Sequence, residues 1–204
     1  RLMKKLIAFI SFLSFCFLSV QAQDNKANAA KLNKQAEAAY NRVLTNTNRD
    51  SLTVYRAVVD GITYSLKCEE YDRMPNRKGK MKTEFGEQNM LRVTTLYPML
   101  IDAGQFLLKN SYTKVEGQKA LELYLTARNN PMVIDIPDES GIAAYYLAYD
   151  YLKSRNFRMA EKYADLAMQY EETAQASVEV KAECMGEQMK NAEDSLQYLA
   201  VLAK

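Results

Sequence analysis

The chain has 204 residues, 48% of them apolar and 25% charged, with seven glycines, four prolines, no histidine and no tryptophan. That length fits one domain, or one domain plus an export segment, and is ample for a hydrophobic core. The missing histidine excludes an imidazole base, a Ser-His or Cys-His nucleophile and a histidine metal ligand, and so few turn-formers argue against a many-stranded β protein.

Residues 1–22 have the three-part pattern of a secretory signal. Arg1, Lys4 and Lys5 open it, an apolar run covers 6–18, and Val20-Gln21-Ala22 forms the cleavage edge before Gln23. The run is shorter than the ~20 residues a bilayer span needs, so no stable membrane span is expected after cleavage. Phe15 is bulky where a lipoprotein site before Cys16 would want a small residue. The expected location is periplasmic or secreted. Cleavage leaves 24 basic residues against 25 acidic ones, a net charge of −1. A near-neutral chain gives no electrostatic reason to expect nucleic acid as a partner.

Over 27–44, Leu32, Ala36, Ala39/Tyr40 and Val43 fall on one helical face. A polar turn at 46–50 follows, with Asp50 or Ser51 placed to cap the next helix. That helix carries Leu52, Tyr55, Val59, Ile62 and Leu66 at alternating +3 and +4. Gly61 inside it costs about 1 kcal/mol against alanine, which signals a close helix approach. Pro75 and Gly79 break the pattern, and Arg73, Arg77, Lys78, Lys80 and Lys82 gather there. Arg77, Lys78, Lys80 and Lys82 are candidates for an anionic ligand or acidic partner. The alternative is a solvated loop, balanced by Asp72, Glu84 and Glu87.

Helix is expected again over 83–110, with Pro98 starting a second segment. A loop at 111–117 leads to a helix at 118–128, closed by Asn129-Asn130-Pro131. Val133 to Pro137 reads as an extended connector, and Asp138, Glu139 and Ser140 supply helix-start chemistry.

From Gly141 to Thr173 two amphipathic segments meet at a short polar turn, 153–156. Small residues Ala148, Ala160 and Ala167 stand where two helices must approach, and Leu147, Tyr151 and Phe157 fill the space between. This stretch resembles a tetratricopeptide repeat, with a period of about 34 residues. Leu147-Ala148 stand at its Leu-Gly pair, Tyr151 and Phe157 at its aromatic positions, and Ala160 and Ala167 at its alanines. It departs from the pattern with alanine at the early tryptophan, Arg155 at the turn glycine and Glu172 at the closing proline. A looser copy precedes it, with Ala103-Gly104, Ala120, Tyr124, Ala127 and Pro131 in place. The spacing of 16 from Gly104 to Ala120, against 12 from Ala148 to Ala160, implies a four-residue insertion. A degenerate copy follows with Ala182, Ser195, Leu199 and Leu202.

The resemblance implies an all-α exported bacterial protein whose antiparallel helix pairs stack into a short right-handed superhelix. Its segments are the signal at 1–22, a helical part at 23–82, and repeats at 97–131, 141–174 and 175–204 within 83–204. It also implies a groove along the first helix of each unit: Tyr145, Tyr149, Leu152 and Lys153 in the strong copy, Ile101, Gln105 and Leu108 in the loose one. The expected role is a non-catalytic scaffold for a protein or peptide, with no cofactor and no metal. Two other readings stand beside it: an accessory repeat segment of a larger exported enzyme, and a glycan-binding helical-repeat protein. Apolar Leu196, Leu199 and Leu202 run to Lys204 without a closing glycine or proline, which suggests that the natural chain continues.

No catalytic constellation is complete. Ser111-x-x-Lys114 has the serine-lysine spacing of penicillin-recognising enzymes but lacks their companion motifs. Asp135, Asp138 and Glu139 lack the spacing of a calcium loop. Cys68 and Cys184, 116 positions apart, are read as small apolar residues between helices rather than a bridge.

Overall fold

The computed structural model describes residues 25–46, 50–76, 79–190 and 192–203, which form nine α-helices and no strand. The signal expected at 1–22 lies outside them. Adjacent helices pack in pairs, so the fold is all-α as expected. The chain divides into two compact units between Leu96 and Tyr97. Among the described residues no helix is long and apolar enough to cross a membrane.

The first unit holds α1 (25–45), α2 (Ser51–Asp72) and α3 (Gly86–Leu96). Asp50 caps α2 by accepting the Leu52 N–H. Gly61 marks the anticipated close approach: a Cβ there would lie 2.6 Å from Leu96 Cδ1 and 3.7 Å from Ala39 Cβ. The deeply buried stripe of α2 is rotated from the expected one. It runs through Val58, Gly61/Ile62, Ser65, Cys68/Glu69 and Asp72, so three of its seven residues are polar and invisible to an apolar count.

Two of those polar groups, Glu69 and Asp72, are paired across the unit, while the buried Ser65 hydroxyl has no hydrogen-bond partner among the described residues. Asp72, 0% exposed, takes Lys26 Nζ of α1 at 2.9 Å on Oδ1. Its Oδ2 accepts the backbone N–H groups of Glu84 (2.7 Å) and Phe85 (2.8 Å), just before α3. Glu69 receives Arg73 Nε at 2.6 Å and Asn89 Nδ2 at 3.3 Å, and buried Arg92 donates to Asn33 Oδ1 at 2.7 Å.

The second unit holds α4 (Met99–Leu108), α5 (Lys114–Ala127), α6 (Ser140–Lys153), α7 (Phe157–Ala167), α8 (Glu171–Gln188) and α9 (Ala192–Leu202). They form hairpins α4–α5, α6–α7 and α8–α9. The first helix of each later hairpin packs on both helices of the one before: α6 on α4 and α5, α8 on α6 and α7. Pro98 directly precedes α4.

The loose hairpin differs from its expected register. Helix α5 starts at Lys114 rather than 118, because Gly117 sits inside it, against α4. A Cβ on Gly117 would meet Leu108 N at 2.7 Å and Gly104 O at 2.9 Å. The close approach to Gly104 is thus thirteen positions on, not sixteen, and Ala120 lies one turn further. No four-residue insertion is needed.

Threonine closes two of the connections in the same way. Thr113 Oγ1 donates to the Leu107 carbonyl and Thr173 Oγ1 to the Ala167 carbonyl, both at 2.7 Å and both six residues back. In the α6–α7 turn, Arg155 adopts φ 57° at the position where the resembled repeat has glycine. The left-handed conformation costs a non-glycine residue about 1 kcal/mol, and the Arg155 side chain pairs on the surface with Glu187 at 2.8 Å.

The expected extended connector is instead a chain of turns, with Val133 N–H bonded to the Asn130 carbonyl and Ile136 N–H to that of Val133. Val133 is buried, and Arg128 Nη1 donates to the Val133 and Ile136 carbonyls. Curling around the guanidinium satisfies carbonyls that a straight strand would leave unpaired. Tyr97 stacks on Tyr124 with centroids 4.4 Å apart, and the Tyr124 hydroxyl accepts the Glu139 N–H at 3.0 Å, fixing the start of α6.

Cys68 and Cys184 are both free, fully buried and in different units. Burial pushes both thiols up, Cys184 to about 11. Since the thiolate is the reactive form, the folded chain from Gln23 onward is expected to leave a chromogenic disulfide reagent unconsumed, and to consume two equivalents in denaturant. Prompt reaction of one thiol before unfolding would contradict this burial.

Candidate functional site

The side of α6 turned away from the hairpin core carries an aromatic stripe. Tyr149 is 44% exposed, while Tyr145 and Tyr146 are half-buried. The rings of Tyr145 and Tyr149, one turn apart, stack at 6.3 Å with an interplanar angle of 29°. Tyr146 meets Tyr145 edge-on at 5.7 Å, and Lys153 Nζ lies 5.0 Å from the Tyr149 centroid. Each ring pair contributes ~0.5–1.5 kcal/mol and an exposed cation–π contact ~0.5–1 kcal/mol. The stripe is thus held in one arrangement before anything binds.

Three interactions behind α6 hold that stripe in place. Lys114 of α5 pairs with Asp150 at 3.0 Å and donates to Ser154 Oγ at 2.6 Å. Gln118 donates to the other Asp150 oxygen at 2.8 Å. Glu122 Oε1 accepts the hydroxyls of Tyr151 (3.2 Å) and Tyr163 (3.1 Å), whose rings are stacked 5.7 Å apart. Burial, with the Glu122 carboxylate beside it, pushes the Tyr151 hydroxyl up to about 12. Lys114, the lysine of the serine-lysine spacing, is therefore committed to joining α5 to α6.

Of the groove residues expected from sequence, the structure brings Tyr145, Tyr149 and Lys153 together. Leu152 and Ile101 are corrections: each is 5% exposed and belongs to the core. Leu152 is three turns from Gly141, on the side of α6 that meets Tyr170 and Thr173. Ile101 lies one turn before Gly104, on the side of α4 closed by Leu121. Gln105 and Leu108 are half-buried on α4, beside exposed Phe106.

In the basic loop, Arg77 and Lys78 lie outside the described residues. Lys80 and Lys82 are exposed, Arg73 is paired with Glu69, and the loop closes on itself through the Asn76 N–H bonded to the Lys80 carbonyl at 3.0 Å.

Sequence reading passed over one feature of α8. Glu179, Glu183 and Glu187, each four apart, form an exposed acidic edge. The +4 spacing was the signal, but exposed glutamates on a helix read by default as a solvated face.

Compared with protein-family models, curated proteins and solved structures, the chain matches none.

Proposed function

We propose that this chain is an exported, non-catalytic scaffold of the tetratricopeptide-repeat type, which holds a protein or peptide segment against the outer face of α6 in the periplasm or cell envelope. The observation that carries this reading is the preassembled Tyr145–Tyr149–Lys153 stack, exposed on a helix whose other sides are packed. Tyrosine gives large contact area and a hydroxyl while losing little side-chain entropy. Repeat-like packing supports the family assignment, since α6 and α8 each sit on both helices of the preceding hairpin.

The test is a photoreactive residue in place of Tyr149, activated in intact cells. A protein captured there, and lost when Tyr145→Ala is added to a chain that keeps its helical signal, is the expected result. Truncating a central tyrosine costs about 2 kcal/mol, so Tyr149→Ala is expected to weaken the purified pair roughly thirtyfold. Capture from Lys80 but not from Tyr149 would move the site to the basic loop.

A further inference from the structure

We infer that the segment held on this face is a basic peptide, its aromatic or aliphatic side chains on the tyrosines of α6 and its lysines or arginines against the carboxylates of α8. This rests on the α6 face being the binding face.

The two helices lie side by side and run the same way. Gly141 near the start of α6 abuts Tyr170 and Thr173 at the start of α8, and Arg155 just past α6 pairs with Glu187 near the end of α8. Lys181 and Gln188 mark the side of α8 turned to α7, through Asp165 and Glu161. At 3.6 residues per turn, Glu179 and Glu183 point the opposite way, onto the open side where α6 shows Tyr149. Neither glutamate makes a hydrogen bond or ion pair among the described residues, so both charges are free for a partner. Residues 97–204 carry 11 Lys and Arg against 16 Asp and Glu, a net −5, so the surrounding field also attracts cations.

The experiment pans a random twelve-residue phage-displayed library on residues 23–204, on Tyr149→Ala and on the double variant Glu179→Gln/Glu183→Gln. Peptides enriched on the parent chain are expected to be richer in lysine and arginine than the input, and Tyr149→Ala to abolish their enrichment. A synthetic copy of the most enriched peptide is expected to bind the double variant about three- to tenfold more weakly at low salt. Near 1 M salt, where the Debye length falls to about 3 Å, that gap should close. Tyr149-dependent enrichment of neutral or acidic peptides, or equal affinity for the double variant, overturns the basic-partner inference while leaving the α6 face standing. No enrichment, or enrichment that Tyr149→Ala leaves intact, overturns the face itself. Dimerisation in solution that Tyr149→Ala abolishes would assign the face to a second copy, and overturns the inference too.

Discussion

Gly117→Ala is expected to destabilise the second unit by about 2–3 kcal/mol, although alanine is favoured over glycine in a helix by ~1 kcal/mol. The new methyl would lie 2.7 Å from Leu108 N, 2.9 Å from Gly104 O and 3.0 Å from the Leu107 carbonyl carbon. All three are backbone atoms of α4, so no side-chain rotation relieves the clash and the two helices must move apart. Separation lifts Leu121 from the Gly104 backbone and exposes a core in which Leu107, Leu121 and Tyr124 are at most 1% exposed. It also stretches the bond from Thr113 Oγ1 to the Leu107 carbonyl. Thermal unfolding should fall by on the order of 10 °C for a unit of this size. Gly186→Ala is the control. Its Cβ would meet only Tyr198 Cε2, at 3.8 Å, an ordinary contact in the last turn of α8, so stability should rise by up to ~1 kcal/mol. If the two variants shift the melting temperature alike, the close packing of α5 on α4 is wrong.

The same glycine explains where the sequence was misleading. In an isolated chain Gly117 reads as a breaker, and only the neighbouring helix turns it into a packing residue, which is why α5 starts before its expected position. The α6–α7 hairpin was legible because Ala148, Ala160 and Ala167 are small without being turn-formers, so periodicity and size agree. The α2 stripe was legible in period but not in phase, since Glu69 and Asp72 are buried through partners up to 46 positions away. At the candidate site, the +4 spacing of Tyr145 and Tyr149 put both on the open side. Leu152 and Ile101 sit at the stripe's edges, where exposure depends on how closely the next helix packs, and no single helix carries that information. Arg155 was recognised as a departure from glycine, yet its ion pair to Glu187, 32 positions on, depends on the tertiary fold.

Replacing Asp72 by asparagine should destabilise the first unit by about 3 kcal/mol at neutral pH, the low end for breaking a buried pair because Lys26 keeps some solvent. Burial alone would raise the Asp72 carboxyl, but the Phe85 N–H, the Lys26 ammonium and the Glu84 N–H together hold it below its ordinary value. A folded-state value below the unfolded one means that the carboxylate's contribution is present in full above the unfolded value, about 3.9. It is lost as pH falls from there through the lower folded value. An asparagine cannot titrate, and its amide turns donors toward the Glu84 and Phe85 N–H groups or leaves Lys26 without its counter-charge. Urea unfolding of the parent chain and of Asp72→Asn from pH 7 down to strongly acid solution separates this group from the other carboxylates, which both proteins share. The stability gap should hold steady down to about pH 5, then narrow as the parent chain takes up the proton that the variant has no site for. A gap that is absent at pH 7, or that persists unchanged into acid, would mean that the Lys26–Asp72–Phe85 junction does not tie α1, α2 and the start of α3 together.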